Sequence, residues 1–174
     1  MDSADRRILE IVQRNNRLPA EKIAAEAGMS ASSVQRRLKQ LRADGTIAAD
    51  VSVLSPEVAG RGVTAIVEVT VGDRPLRRVL SEFRSLMLAT DEVQQCYHVT
   101  GRGDFLLILT ARDMGDFEAL VRRLFVDNPS VARFETSIVV SRVKWTTRLP
   151  IAGASGSGSG KRRTSRARPR GNRS

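Results

Sequence analysis

The spacing of apolar residues predicts two helices at the start of the chain. Asp2 or Ser3 can act as the N-cap of the first. Pro19 suits the first position of the second helix, and Gly28 suits the residue that ends it. The apolar positions recur every three or four residues, as on one face of a helix. In the first helix they are Ala4, Ile8, Ile11 and Val12, and in the second Ile23, Ala24 and Ala27.

A third helix is predicted directly after a short turn. Ser30 is a good N-cap, the helix covers about Ala31 to Ala43, and Asp44 and Gly45 end it. The three helices with a Gly-containing turn are typical of a helix-turn-helix. After them, apolar residues predict a short strand or wing: Ile47, Val51 and Val53.

From Arg61 onward the period changes from helical spacing to strict alternation, which is typical of strands. Two helical stripes interrupt the strands, the first opened by Pro75. The predicted order is βαββαβ, the ferredoxin-like arrangement, and the fold class is therefore α+β. The strands are predicted at Val63–Val71, Val93–Thr100, Phe105–Thr110 and Phe134–Val140.

The third predicted strand is apolar on both faces over Phe105–Leu109. A sheet of this type carries helices on one face only, so its other face needs a cover. We expect a second copy of the chain to supply that cover, which predicts a homodimer. The alternative is that the wing or the linker covers the face within one chain.

The end of the chain is much more basic than the rest of it. Of the net charge of +10, the segment 151–174 contributes seven basic residues and no acidic one. Residues 153–160 read GASGSGSG, and 161–174 are almost devoid of bulky apolar residues. We therefore predict that 151–174 is a disordered linker and basic tail. It follows a helix-turn-helix domain (1–50), a linker (51–60) and a sheet domain (61–150).

The third helix carries the functional prediction. Ser30 to Arg42 contain four cations and no anion, a composition suited to the major groove of DNA. The alternative is a solvated charged face, and the helix-turn-helix spacing favours DNA. Base readout is predicted for Ser32, Ser33, Gln35 and Arg36, and phosphate contact for Arg37, Lys39, Arg42 and the helix N-terminus at Ser30.

The segment DSADRRILEIVQRNNRLPAEKIAAEAGMSASSVQRRLKQLRADGTI closely resembles the N-terminal half of the Lrp/AsnC regulators, also called leucine-responsive or feast/famine regulators. GVTAIVEVTV, VQQCYHVTGRGDFLLIL and SRVKWTTRLPI continue the resemblance to about residue 151. It implies a winged helix-turn-helix joined to an effector domain called RAM, in dimers that assemble further.

The resemblance also implies an amino-acid effector, bound between dimers near the turn before the third strand of the RAM domain. Gly101 and Asp104 match the family's G-x-x-D pattern, whereas Arg102 and Gly103 replace the acidic residue and tyrosine of many members. Asp50 stands where many members have a tyrosine. The implied effector residues are Thr100, Gly101, Arg102, Gly103, Asp104, Glu135 and Thr136.

Other chemistry is not expected. A single histidine, His98, and a single cysteine, Cys96, cannot form a structural zinc site. General acid–base work would fall to carboxylates, and these are scattered along the chain, so we predict no enzyme, no metal and no cofactor. Cys96 is expected to be buried, and His98 to pack in its strand.

We expect a cytoplasmic, nucleoid-associated transcriptional regulator, because no signal peptide or long apolar run is present. The alternatives are an architectural protein that wraps DNA without an effector and, more remotely, a metabolic enzyme built on the ferredoxin-like domain.

Overall fold

A computed structural model describes residues 1–72 and 76–152. The helix start predicted at Pro75 lies outside these residues, as do residues 153–174 of the segment 151–174 that is predicted to be disordered. Ile151, the first residue of that segment, is instead packed against buried residues of the N-terminal helices. The chain divides into two compact units. One contains Met1–Val51 together with the segment from Thr146, and the other is Ser52–Trp145.

The first unit is built on three helices: α1 (Ser3–Arg14), α2 (Ala20–Ala27) and α3 (Ala31–Ala43). Asp2 caps α1, and Gly28 ends α2 in the left-handed conformation with φ of 70°. Pro19 is the N-cap of α2, one residue before the predicted position, with an extended backbone. The buried side chains are Ile8, Leu9, Ile11, Ile23, Ala24, Val34, Leu38 and Leu41, whereas Ala4, Val12 and Ala27 of the predicted stripes are only partly buried.

The segment after Trp145 contacts this helical core. The Gln13 side chain makes two hydrogen bonds to the backbone of Leu149: its Nε2 donates to the carbonyl oxygen (3.2 Å), and its Oε1 accepts from the N–H (2.7 Å). Ile151 packs against the buried residues of the three helices. The chain that leads to the basic tail is therefore attached to the helix-turn-helix unit.

The second unit has the predicted βαββαβ order. Its strands are β1 (Val63–Val71), β2 (Val93–His98), β3 (Phe105–Ala111) and β4 (Val131–Ile138). Its helices are α4 (Leu76–Leu88) and α5 (Met114–Val121), and α5 continues into a π-helical turn, Arg122–Val126. The sheet is antiparallel in the order β2-β3-β1-β4.

Alternation along the strands separates the two faces of the sheet. Val67 and Leu107 are paired and fully buried on the core face, against Phe83 of α4 and Leu124 of the π-helical turn. The next residues along β1 and β3 point to the opposite face, which no helix of the described unit covers. On that face the paired Ile66 and Ile108 are not fully buried: Ile66 is 37% exposed and Ile108 is partly buried.

Two sequence predictions are wrong. No strand or wing forms at Val51 or Val53, which lie exposed in irregular chain, because a strand needs a partner and none of the described residues pairs with them. Cys96 is exposed rather than buried, because β2 is an edge strand of the sheet. Within the described residues, no helix is long and apolar enough to cross a membrane.

Candidate DNA-binding surface and effector turn

The start of α3 is organised by serine hydroxyls. The Ser30 Oγ accepts a hydrogen bond from the Ser33 N–H (3.3 Å) and donates one to the Ser33 Oγ (2.8 Å). The Ser32 Oγ lies 3.2 Å from the Ser30 Oγ. These contacts occupy one amide N–H of the first turn and leave others for an external acceptor such as a phosphate.

The two sides of α3 differ sharply in burial. Val34, Leu38 and Leu41 face the core, as their spacing predicts. Ser33 and Arg37 are partly buried at the margins. The other predicted DNA contacts after Ser30 are exposed, namely Ser32, Gln35, Arg36, Lys39 and Arg42.

The four cations of α3 do not have equivalent surroundings. The Arg37 Nη1 lies 2.7 Å from the Asp2 Oδ2 and 2.6 Å from the Asp5 Oδ1, and its side chain is only 25% exposed. The hydrogen bonds to both carboxylates raise the pKa of Arg37. The pKa of Asp2 is lowered, first by the Asp5 N–H and then by Arg37.

Arg42 is also paired. Its Nε donates to the Asp50 Oδ2 at 2.7 Å, and this contact lowers the pKa of Asp50. Arg36 and Lys39, by contrast, are exposed and form no ion pair with any residue that the structure describes. The α3 surface therefore presents two uncompensated positive charges, not four.

The turn before β3 is held by Asp104. Its Oδ2 accepts a hydrogen bond from the Val71 N–H (2.8 Å). Its own N–H donates to the Val69 carbonyl (2.9 Å), and its carbonyl accepts from the Val99 N–H (2.9 Å). Gly101 has φ of 150°, a conformation that glycine adopts readily. The aspartate therefore joins the start of β3 to the end of β1.

Gly103 is buried against Glu68. A Cβ placed on Gly103 would lie 2.7 Å from the Glu68 Cγ, 3.2 Å from its Oε1 and 3.2 Å from the Val69 carbonyl oxygen. Carbon atoms in contact are normally 3.5 to 4.0 Å apart. The glycine at this position therefore lets the Glu68 carboxylate approach the turn.

The predicted effector residues fall into two groups. Glu135 pairs directly with Glu68, so both point to the helix-free face of the sheet near Gly103. Thr136 pairs with Val67 and points to the core face at the sheet edge. The structure therefore places Glu135 beside Glu68, which Gly103 of the turn contacts, and places Thr136 on the other face.

His98 packs its ring against Phe105, with centroids 5.1 Å apart. The Arg84 Nη2 lies 3.4 Å from the His98 Nδ1. His98 is not part of a metal site. Among residues 1–72 and 76–152, no three His, Cys, Asp or Glu side chains cluster as a metal site would require.

The chain was compared with families and proteins already described. The model for an AsnC-type helix-turn-helix domain matches residues 1–42, and the model for an Lrp/AsnC ligand binding domain matches residues 64–149. An uncharacterised HTH-type transcriptional regulator of Sinorhizobium fredii is 45% identical over 151 residues, covering 87% of this chain and 89% of that protein. A leucine-responsive regulatory protein of Haemophilus influenzae is 31% identical over 152 residues, covering 87% and 90%.

A transcriptional regulator of Neisseria meningitidis, solved as an L-Met complex, has the same fold. It superimposes with a TM-score of 0.82 at 30% identity, over 86% of this chain and 96% of that one. The matches span both units, with the helix-turn-helix first and the four-stranded sheet second. The chain therefore belongs to the Lrp/AsnC family of transcriptional regulators.

Proposed function

We propose that this chain is a cytoplasmic, sequence-specific DNA-binding regulator that acts as a homo-oligomer and responds to an amino acid or a related small molecule. The observation that carries the DNA-binding part is the exposed side of α3. There Arg36 and Lys39 flank the polar side chains of Ser32 and Gln35, and no acidic residue occurs between Ser30 and Arg42. A helix of this kind can contact base edges with its polar residues and phosphates with its cations.

The DNA-binding part can be tested by selecting the operator from random sequence. Selection with the wild-type chain from a random-sequence duplex library should enrich one motif. The selected duplex should bind at least about a thousandfold more tightly than unselected DNA. Arg36→Ala should lower that specificity and Glu21→Gln, an exposed control on α2, should not. If no motif is enriched, the sequence-specific assignment fails.

The affinities for selected and unselected DNA also distinguish the sequence-specific regulator from the main alternative. An architectural protein that wraps DNA without an effector would bind selected and unselected duplexes about equally well, since phosphate contacts carry no sequence information. The exposed serines and glutamine of α3 favour the specific regulator, because these side chains can donate to and accept from base edges.

For the effector, we propose the turn Thr100–Asp104 and Glu135 as the part of the site that one chain contributes. Support comes from the family's G-x-x-D pattern and from the L-Met complex of the Neisseria relative. A ligand at a contact between dimers would favour one assembly over another, and so change the spacing of the α3 helices offered to DNA. L-methionine and the other amino acids should be titrated while the mass is followed by light scattering. A constant mass with every amino acid would exclude this form of sensing.

The homodimer is proposed on the helix-free face of the sheet. Its apolar residues are Ile66 and Ile108, which pair across β1 and β3, and their neighbours Leu106 and Tyr97. A second copy would cover this patch by a two-fold symmetric contact. The wing and linker alternative loses support, because Val53, Leu54 and Val58 are themselves 59%, 70% and 86% exposed.

A further inference from the structure

Arg37 is placed unlike the other cations of α3. Its guanidinium donates to two carboxylates at the start of α1, Asp2 at 2.7 Å and Asp5 at 2.6 Å, although they lie 35 and 32 residues away in the chain. Asp5 is only 16% exposed, so its half of the contact is partly shielded from solvent, whereas Asp2 is 53% exposed. It links α1 to α3 beside the apolar core.

The two carboxylates are themselves held rigidly. The Asp2 Oδ1 accepts from the Asp5 N–H (2.8 Å), and the Asp5 Oδ2 accepts from the Asp2 N–H (3.0 Å). This is a reciprocal capping box. Each carboxylate therefore uses one oxygen for the cap of α1 and the other for Arg37. The capping box of α1 therefore preorganises the two carboxylates that bind the guanidinium.

A phosphate contact by Arg37 would require this arrangement to break. Asp2 and Asp5 would lose their counter-charge, and Asp5 would remain partly buried as an unpaired anion, which is costly. With Arg37 in place, the three groups carry a net charge of −1, so this corner does not attract phosphate. Arg36 and Lys39 can bind phosphate without breaking any described ion pair.

Fixing Arg37 also fixes the direction of its neighbours. Successive residues of a helix are about 100° apart around its axis. A guanidinium anchored on α1 therefore sets the rotation of α3, and with it the direction in which Arg36 and Lys39 project. The apolar contacts of Val34 and Leu38 with the core set the same rotation from the neighbouring, buried side of the helix.

We propose that Arg37 is a positioning residue of the DNA-binding surface: Asp2 and Asp5 hold it so that α3 is oriented, and Arg36 and Lys39 contact the phosphates. This replaces the phosphate contact predicted for Arg37 from the sequence. It rests on the proposed binding of DNA by α3, and it adds a role for two acidic residues on a surface that binds a polyanion.

The salt dependence of DNA binding distinguishes positioning from contact. Each phosphate contact contributes about 0.9 to the slope of log affinity against log salt. With a duplex selected by the wild-type chain, Arg36→Met and Lys39→Met should each lower the slope by about one. Arg37→Met should weaken binding about three- to tenfold with the slope unchanged. A slope lowered by about one, or an unchanged affinity, would overturn the proposal.

Removal of the carboxylates gives a second test in which Arg37 is retained. If Arg37 contacts phosphate, Asp2→Asn with Asp5→Asn releases it, and binding becomes tighter and more salt-dependent than in the control. If Arg37 positions α3, binding becomes weaker with an unchanged slope, and adding Arg37→Met weakens it no further. The control is Glu10→Gln with Glu21→Gln, which removes two carboxylates that do not contact α3. Affinity equal to that control would also overturn the proposal.

These outcomes are separable from failure of the proposed function. If the wild-type chain selects no duplex, or if Arg36→Met and Lys39→Met leave the slope unchanged, α3 is not the DNA-binding surface at all. If those two variants behave as expected and Arg37→Met matches them, only the positioning role is wrong. Hydrogen exchange of the α3 amides in each variant checks that α3 remains folded.

Discussion

At the scale of single residues, partners across the fold decide what a charge or a glycine can do. Arg37 and Arg36 are adjacent in the sequence, yet one is paired with two aspartates and the other is exposed. Gly103 and Glu68 are far apart in the sequence and meet because β1 and β3 pair. Helical spacing accounts for the buried and exposed sides of α3, but it carries no information about Asp2, Asp5 or Glu68.

Gly103→Ala should destabilise the sheet unit. The added Cβ would lie 2.7 Å from the Glu68 Cγ and 3.2 Å from the Val69 carbonyl oxygen, so side chain and backbone must both shift. We expect a loss of about 1 to 3 kcal/mol in the free energy of unfolding, as for other overpacked sites. Hydrogen exchange of the β1 and β3 amides in the full chain measures it locally.

The control for this substitution lies in the same unit. Gly115 is in α5, where a Cβ meets only the Asp113 Oδ1 at an ordinary 3.4 Å, so Gly115→Ala should stabilise by about 0.5 to 1 kcal/mol. Glu68→Ala removes the crowding Cγ and should reduce the cost of Gly103→Ala. If the cost is the same with and without Glu68, the close approach is not its cause.

At the scale of elements, the sequence predicted what local periodicity determines. All three helices of the first unit and the βαββαβ order agree with the structure to within a few residues, because caps and apolar spacing are local signals. The predicted wing failed at Val51 and Val53 because apolar residues alone do not form a strand without a partner. The opposite facing of Glu135 and Thr136 follows from alternation along the strand, whereas their pairing with Glu68 and Val67 depends on strand register, which spacing alone does not give.

The cap of α3 has a predicted effect of its own. Ser30→Ala removes the acceptor for the Ser33 N–H and should lower the free energy of unfolding of the helix-turn-helix by about 1 kcal/mol. Ser30→Asp should restore that stability, because an aspartate caps as well and suits a helix N-terminus. It should nevertheless weaken DNA binding, because it places a negative charge where a phosphate would lie.

Substitutions at Ser30 should therefore affect the stability of the helix-turn-helix and its DNA affinity differently. Hydrogen exchange of the α3 amides reports the cap, and titration with the selected duplex reports the affinity. Ser30→Asn, which caps without the charge, is the matched control and should keep both. Equal DNA affinity of the Asp and Asn variants would show that no phosphate approaches this helix end.

At the scale of the whole molecule, the helix-free face of the sheet should determine the oligomeric state. Ile66 is 37% exposed and pairs with the partly buried Ile108. Ile66→Lys should convert the dimer to a monomer in sedimentation velocity, because a charge would be buried in the centre of the apolar contact. Leu88→Lys, at an 89% exposed position of α4, should leave the dimer intact. A dimer that persists in Ile66→Lys would place the contact elsewhere.

The segment that precedes the basic tail is attached to the unit that carries α3. Ile151 packs against the helix-turn-helix core, and Gln13 holds Leu149 through two hydrogen bonds. The seven cations after residue 160 follow this attachment point in the chain, which would give them a high effective concentration near DNA bound by α3. We therefore expect deletion of residues 153–174 to weaken binding and to lower its salt slope by as much as about six.

The matched variant keeps the length of the tail and replaces its seven basic residues with glutamine. If charge is the cause, this variant should behave like the deletion, because counterion release depends on charges and not on chain length. The preference for the selected duplex over unselected DNA should change little or increase, because tail contacts to phosphate carry no sequence information. If the slope instead stays at the wild-type value in both variants, the tail contributes nothing to DNA binding, and the exposed cations of α3 account for its salt dependence.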